Sequence, residues 1–114
     1  MERPGRYFLG IDGGGSRCRA RIRDASGHML GEAIGGSSNI HQNFDGALAN
    51  IVSTAAEAAA RAQLKTTDLH SGLGLAGLVT SVGAERIVAA SLPFASVIAD
   101  NDAYAAWVGA FAGS

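Results

Sequence analysis

The sequence feature that most constrains the fold is the stretch GIDGGGSRCRARIRD, at positions 10–24. Three consecutive glycines mark a place where the chain turns tightly or approaches another group closely, because glycine lacks a Cβ and is entropically costly to order. The apolar run YFLGI precedes them, and after them apolar residues alternate with arginines over 17–23. A period of two is typical of a half-buried strand. The stretch therefore predicts two antiparallel strands joined by a glycine-rich turn.

The remaining patterns predict three further strands and three helices. The turn DASG leads into a third strand, HMLGEAIGG, and alanine and leucine at helical spacing predict a long helix over 44–64. A strand over 69–78, a helix over 81–92, a strand over 94–102 and a terminal helix complete the order βββαβαβα. Three antiparallel strands followed by parallel strands through right-handed helical crossovers form the ribonuclease-H-like α/β arrangement. We expect a mixed five-stranded sheet with helices packed on it.

Composition narrows the class of protein. The chain has 114 residues, 47% hydrophobic and 17% charged, which fits a single globular unit over 1–114. A net charge of −1 provides no overall attraction to nucleic acid or anionic membranes. One cysteine cannot form an internal disulfide or a metal site alone, and no apolar run approaches the ~20 residues of a membrane span. We expect a cytoplasmic protein with no membrane or nucleic-acid partner.

The triple glycine is a candidate phosphate site of an unusual kind. It lacks the lysine of a Walker A loop, and a strand rather than a helix follows it, unlike a dinucleotide fingerprint. What remains is a hairpin turn whose backbone N–H groups, with the hydroxyl of Ser16, can line a phosphate. Asp12 would then hold hydrated Mg²⁺ beside it. The alternative is a plain glycine hairpin with an exposed acid.

The second strand and the histidines carry weaker signals. The arginines of the second strand permit a nucleic-acid interface. A solvated face of an antiparallel sheet has the same pattern, however, and the overall charge is not basic. Cys18 lies on the apolar side of that strand, which predicts a buried inert thiol. His41 and His70 have no evident partner and are predicted to lie on the surface.

The stretch IADNDAYAAW contains the second candidate site. Its acids fall at the C-terminal end of the fifth strand, where a helix begins, and ligands of open α/β sheets bind outside the carboxyl ends of the strands. Asp102 can cap that helix. The same position can also direct a carboxylate at a substrate hydroxyl, as a general base of phosphoryl transfer requires.

Four stretches together resemble one known family. GIDGGGSRCRARIRD, GGSSNI, GLGLAGL and NDAYAAWVGA occur in the order found in the N-terminal half of bacterial glucosamine and N-acetylglucosamine kinases. These enzymes are members of the BadF/BadG/BcrA/BcrD ATPase group, within the superfamily of acetate kinase, sugar kinases, Hsp70 and actin. The resemblance runs over nearly the whole chain. It implies an ATP-dependent, Mg²⁺-requiring amino-sugar kinase.

The resemblance assigns a role to each matching position of the phosphate site. Asp12 matches the residue that binds Mg²⁺ through water. At position 16 this chain has serine where the family's phosphate hairpin usually has threonine, and serine keeps the hydroxyl. The matching hairpin residues are Gly13, Gly14, Gly15 and Ser16.

The sugar-binding positions are carried over in the same way. Asn39 in SSNI matches the asparagine that hydrogen-bonds the sugar, although from the residues alone it could cap a helix or form an Asx turn. Gly77 falls in the segment that borders the sugar pocket. Asp102 matches the aspartate that contacts the sugar's 6-hydroxyl and removes its proton as that hydroxyl attacks the γ-phosphate.

The family's kinases have two lobes with ATP between them, and this chain matches the first lobe. The second phosphate loop, the adenosine-binding segment and the second lobe's sheet have no counterpart here, so the chain alone is expected to be inactive. The terminal helix would expose apolar residues that the second lobe covers, which predicts a dimer or higher self-association. Those residues are Trp107, Val108, Ala110 and Phe111.

Three alternatives stay open. A ribonuclease-H-type nuclease would place metals between Asp12, Asp102 and an acid of the first helix, where Glu57 is the candidate. An activator ATPase of the same family would require cluster-ligating cysteines, and Cys18 is the chain's one cysteine. A non-catalytic sugar-binding lobe needs the sugar contacts but not Asp102. Among amino sugars, the likeness of GIDGGGSRCRARIR to the glucosamine-kinase pattern favours glucosamine.

Overall fold

A computed structural model describes residues 6–13, 16–39, 43–75, 86–87 and 90–100. Its main elements are five strands, one long α-helix and one short 3₁₀ helix. In chain order they are β1 (Tyr7–Gly13), β2 (Cys18–Asp24), β3 (Met29–Gly35), α1 (Phe44–Arg61), the 3₁₀ helix (Thr66–Asp68), β4 (Leu69–Leu75) and β5 (Ser96–Asp100).

The strands form one mixed sheet in the order β3-β2-β1-β4-β5. β1 pairs antiparallel with β2, which pairs antiparallel with β3, while β4 runs parallel to both β1 and β5. This is the predicted α/β arrangement of a three-stranded meander extended by parallel strands. The carboxyl ends of β1, β4 and β5 consequently lie along the same edge of the sheet.

Strand alternation decides which side of the sheet faces α1. Leu9 and Ile11 of β1 join the buried cluster that packs against Ile51 of α1, whereas Asp12, between the core positions of the strand, is exposed. Successive Cβ atoms of a strand point to opposite faces. The Asp12 side chain therefore lies on the face of the sheet away from α1. Cys18 is buried at 2% exposure on the core face, as predicted.

Helix α1 begins at an asparagine cap and lies very close to the sheet. The Asn43 side chain accepts a hydrogen bond from the Gly46 N–H at 2.9 Å, so Asn43 is the N-cap. The helix ends at Arg61 rather than at the predicted position 64, because Gln63 takes a left-handed φ of 60° that cannot continue it. A Cβ on Gly35 of β3 would overlap Thr54 Oγ1, which shows how closely α1 lies on the sheet.

The turn between β2 and β3 follows its sequence signal. The Asp24 carboxylate accepts the N–H groups of Ser26 at 2.9 Å and His28 at 3.0 Å, and Gly27 adopts a φ of +91°. The backbone hydrogen bond from His28 is the main cause that lowers the pKa of Asp24 below its ordinary value. The predicted DASG turn is thus confirmed.

The second half of the chain corrects one prediction and leaves others open. His70 is half-buried rather than on the surface: its Nδ1 lies 2.9 Å from Ser96 Oγ and its ring packs at 6.0 Å from that of Phe8.

Arg86 and Ile87 are helical, within the predicted second helix. His41, most of that helix and the terminal helix, with its expected apolar surface, lie outside the described residues. No described helix is long and apolar enough to cross a membrane.

Candidate functional site

The register of the parallel strands assembles one candidate site at the carboxyl edge of the sheet. Asp12 of β1 is aligned with Gly74 of β4, which is aligned with Asp100 of β5. Neighbouring strands are about 4.8 Å apart, so the main chains at Asp12 and Asp100 are separated by roughly 10 Å. Asp102 follows two residues later in the chain and lies outside the described residues. The two acidic stretches predicted as functional thus start from the same edge.

The glycine hairpin begins at a buried position. Gly13 ends β1, and a Cβ there would overlap Ser38 Oγ and lie 3.1 Å from Leu75 Cδ2. Only glycine fits at this position without displacing its neighbours. Ser16, on the other side of the turn, is exposed. Gly14 and Gly15 lie outside the described residues.

A shallow hollow of about 380 Å³ lies beside Asp12, at the start of the β1–β2 hairpin. Its lining residues are Asp12, Arg17, Cys18, Arg19 and Ile34. Within the part of the chain that the structure describes, the Asp12 carboxylate makes no ion pair. An exposed carboxylate not neutralised by a described cation fits a hydrated Mg²⁺, and the adjacent arginines fit phosphate oxygens.

Acidic and basic residues partly neutralise one another farther along the same face. Arg21 Nε lies 2.8 Å from Glu32 Oε2, and Arg19 Nε lies 3.9 Å from the same oxygen. The hydrogen bond from Arg21 is the main cause that lowers the pKa of Glu32 below its ordinary value. Arg19 and Arg21 are therefore partly exposed to solvent and share one carboxylate as their partner.

The segment after β3 is anchored to α1 by the half-buried amide of Asn50. Asn50 Nδ2 donates to the Ser37 carbonyl oxygen at 2.7 Å, and the Asn39 N–H donates to Ser37 Oγ at 3.2 Å. Asn39 is half-buried at the end of this segment. Because Asn43 caps α1, the helix-capping alternative for Asn39 is wrong. Its side chain is thus not used as the N-cap of α1.

A short chain of hydrogen bonds fixes α1 beneath that segment. The Cys18 thiol donates to Thr54 Oγ1 at 3.4 Å, and Thr54 Oγ1 donates to the Asn50 carbonyl oxygen at 2.6 Å. Thr54 is buried at 2% exposure. These contacts explain why a β-branched polar residue lies on the inner side of an alanine-rich helix. They also give Cys18 a structural role in the core.

The position of Glu57 bears on the nuclease alternative. Glu57 is 51% exposed and forms a 2.7 Å ion pair with Arg61, one turn along α1. It lies on the helix that covers the opposite face of the sheet from the Asp12 side chain. The described residues contain no group of three acidic, histidine or cysteine side chains that could hold a metal ion. Glu57 therefore does not complete a metal site with Asp12.

Sequence reasoning did not single out Ser38 or Asn50. Ser38 was visible within SSNI but had no signal of its own, and Asn50 resembles any polar residue on a helix surface. Both residues matter through contacts with distant parts of the sequence. Ser38 contacts Gly13, which is 25 residues away, and Asn50 bonds to Ser37, which is 13 residues away. Gly77, the other residue predicted near the sugar, lies outside the described residues.

The sheet order and this edge define an α/β fold of ribonuclease-H-like topology with a candidate phosphate site after its first strand. The family model then gives a narrower identity. The chain belongs to the BadF/BadG/BcrA/BcrD ATPase family, whose model matches residues 9–113.

Two relatives agree with this assignment. The chain is 41% identical to "Glucosamine kinase GspK" of Vibrio cholerae over 110 residues, which cover 94% of this chain and 37% of the relative. A solved structure from Chromobacterium violaceum, named "Putative N-acetylglucosamine Kinase", matches with a TM-score of 0.72 and 30% identity. That match covers 82% of this chain and 34% of the other. The chain thus spans little more than a third of the length of these relatives.

Proposed function

We propose that the full-length protein containing this chain transfers the γ-phosphoryl group of ATP to the 6-hydroxyl of an amino sugar. One observation carries the proposal beyond family membership: Gly13 of the glycine hairpin and Ser38 of the SSN segment are in direct contact. The segment proposed to hold phosphate and the segment proposed to hold sugar are therefore neighbours. Phosphoryl transfer requires this proximity, because its catalysis is mostly positioning and charge stabilisation.

The phosphate side of the site is the β1–β2 hairpin. Backbone N–H groups of Gly13, Gly14 and Gly15, with the Ser16 hydroxyl, bind phosphate oxygens of ATP. Asp12 holds Mg²⁺ through water, and the ion supplies charge neutralisation at the phosphates when it is bound. This arrangement uses the exposed carboxylate at the carboxyl end of a central strand.

The sugar side combines three positions. Asn39 hydrogen-bonds a hydroxyl of the sugar, and Gly77 borders the pocket. Asp102 accepts the proton of the 6-hydroxyl while the bond from that oxygen to the γ-phosphorus forms. The bond from the γ-phosphorus to the bridging oxygen breaks at the same time, and ADP leaves.

Glucosamine is the sugar that we favour over N-acetylglucosamine. The relative of 41% identity is named a glucosamine kinase, and the structure named for the N-acetylated sugar is 30% identical. A free amine and an acetamide place different demands on a pocket, since the first is a cation and the second an apolar group with an amide. The proposal therefore predicts discrimination between the two sugars.

Three further properties follow from this proposal. The chain forms the N-terminal lobe of a two-lobed kinase, with the other ATP contacts supplied by the second lobe. We propose that the protein acts in the cytoplasm, where ATP is available to it. We also propose that this chain by itself self-associates, because apolar residues that the second lobe would cover are left exposed; light scattering of the chain at high concentration that shows a strict monomer would contradict this.

The experiment that tests the proposed function is an ADP-release assay on the full-length protein with ATP and Mg²⁺. Glucosamine, N-acetylglucosamine and glucose are offered separately, and a reaction without sugar gives the background. We expect turnover that depends on sugar and is fastest with glucosamine. ATP turnover that no sugar changes would instead indicate an activator ATPase. The absence of any turnover would favour a non-catalytic sugar-binding lobe or a nuclease.

The anchor of the sugar segment gives a second prediction. Asn50→Ala removes the 2.7 Å hydrogen bond to the Ser37 carbonyl and leaves that partly buried oxygen without this donor. The loss of about 1 kcal/mol should raise the KM for the sugar by roughly 5-fold and change kcat little. Steady-state kinetics with Ser53→Ala as the control measures this, because Ser53 is exposed and contacts the carbonyl of Asn50 within the same helix. An unchanged KM would show that this anchor does not position Asn39.

A further inference from the structure

Ser38 has the least satisfied polar side chain in the described part of the molecule. Its residue is 1% exposed, and its hydroxyl is the one buried side-chain oxygen or nitrogen among the described residues that makes no hydrogen bond. A hydroxyl removed from water without a partner destabilises the folded state. Native proteins satisfy nearly all such groups, so an exception needs an explanation.

The place of this hydroxyl in the fold suggests the explanation. Ser38 Oγ occupies the space that a side chain at Gly13 would fill, and the same space is bordered by Leu75 at the end of β4. Gly13 opens the phosphate hairpin. The hydroxyl therefore lies where the SSN segment, the hairpin and the end of β4 meet.

The residues on either side of Ser38 are held in place. The Ser37 carbonyl accepts from Asn50, and Ser37 Oγ accepts the Asn39 N–H. The main chain of the segment is thus tied to α1 and to itself. Because Ser38 is 1% exposed on this fixed backbone, rotation of its side chain does not readily bring the hydroxyl to water.

We propose that Ser38 is a positioning residue that couples the phosphate site to the sugar site. Its hydroxyl gains its missing hydrogen bond, with the main chain of the hairpin, when nucleotide phosphates occupy that hairpin. The bond then stabilises the segment that ends in Asn39 and strengthens sugar binding. This inference rests on the proposed function, and it assigns Ser38 a role that phosphate and sugar binding alone do not require.

The test uses the full-length protein and the variant Ser38→Ala. Three quantities are measured: the Tm of the free protein, the Kd for Mg·ADP by calorimetry, and the Kd for glucosamine with and without Mg·ADP. Removing an unsatisfied hydroxyl should raise the Tm of the free protein by about 2 °C. The Kd for Mg·ADP should rise by roughly 5-fold, since the bound state loses one hydrogen bond.

The coupling between Mg·ADP binding and glucosamine binding is a readout that a purely structural role of Ser38 would not change. In the parent protein, Mg·ADP should tighten glucosamine binding, and linkage requires glucosamine to tighten Mg·ADP binding by the same factor. In Ser38→Ala that factor should fall toward one. Ser37→Ala is the matched contrast, because its hydroxyl accepts a hydrogen bond in the free protein and its loss should lower the Tm.

The possible outcomes separate this inference from the proposed function. A lower Tm for free Ser38→Ala, or an unchanged Kd for Mg·ADP, would overturn the role of Ser38. If the parent binds Mg·ADP but no glucosamine, the sugar assignment fails, while the Tm and the Mg·ADP affinity still decide whether Ser38 serves the phosphate site. If the parent binds neither ligand, both proposals are wrong.

Discussion

Asp102→Asn in the full-length protein is expected to lower kcat for glucosamine phosphorylation by roughly 10²–10⁴-fold. The amide keeps the size and the hydrogen-bonding oxygen of the carboxylate but cannot accept a proton from the 6-hydroxyl. Sugar affinity should change little, because a neutral hydroxyl can still hydrogen-bond to the amide. The measurement is kcat by ADP release together with the Kd for glucosamine by calorimetry.

Asp100→Asn is the matched control for this prediction. Asp100 lies in the same acidic stretch and is aligned through Gly74 with Asp12, so it tests whether any acid at this edge is equally important. We expect Asp100→Asn to retain most of the kcat. A collapse in this variant with activity preserved in Asp102→Asn would mean that the proton acceptor is misassigned. Loss of sugar binding in Asp102→Asn would mean that the residue mainly holds the sugar.

The sheet could be predicted because its signals are local. In β2, alternation of arginine with Cys18, Ala20 and Ile22 directly reports which side of the strand is buried. The boundaries were less accurate, since the end of α1 depends on the left-handed backbone of Gln63 and not on a residue with strong turn preference. The 3₁₀ helix at Thr66–Asp68 also lacked a distinctive pattern.

The candidate site was only partly predictable, because some of its important contacts join distant segments. Glycine at position 13 indicated a turn, but not that Ser38 would fill the space beside it. The environment of His70 depends on Ser96, which reaches it only through the pairing of β4 with β5. Periodicity reports burial and does not identify the partner of a buried group. That information appears only when the strands are assembled.

Gly13→Ala is the substitution from which we expect the largest combined loss of stability and nucleotide binding. The new methyl group would overlap Ser38 Oγ and approach Ser38 Cβ at 3.0 Å and Leu75 Cδ2 at 3.1 Å. Overpacking of a buried site costs about 1–3 kcal/mol, occasionally more. If relief of the overlap displaces the hairpin, the KM for ATP should rise by at least roughly 10-fold, which corresponds to about 1.4 kcal/mol of lost binding.

The double variant Gly13→Ala with Ser38→Ala identifies the cause of that loss. Removing the Ser38 hydroxyl eliminates the most severe overlap but leaves the two Cβ atoms close together, so stability should be recovered in part and not fully. Residues in contact typically show such non-additivity, with coupling energies of about 0.5–3 kcal/mol. Denaturant unfolding of the parent, both single variants and the double variant measures this coupling. Strict additivity would show that Gly13 and Ser38 do not share this space, and the proposed link between the phosphate hairpin and the sugar segment would lose its structural basis.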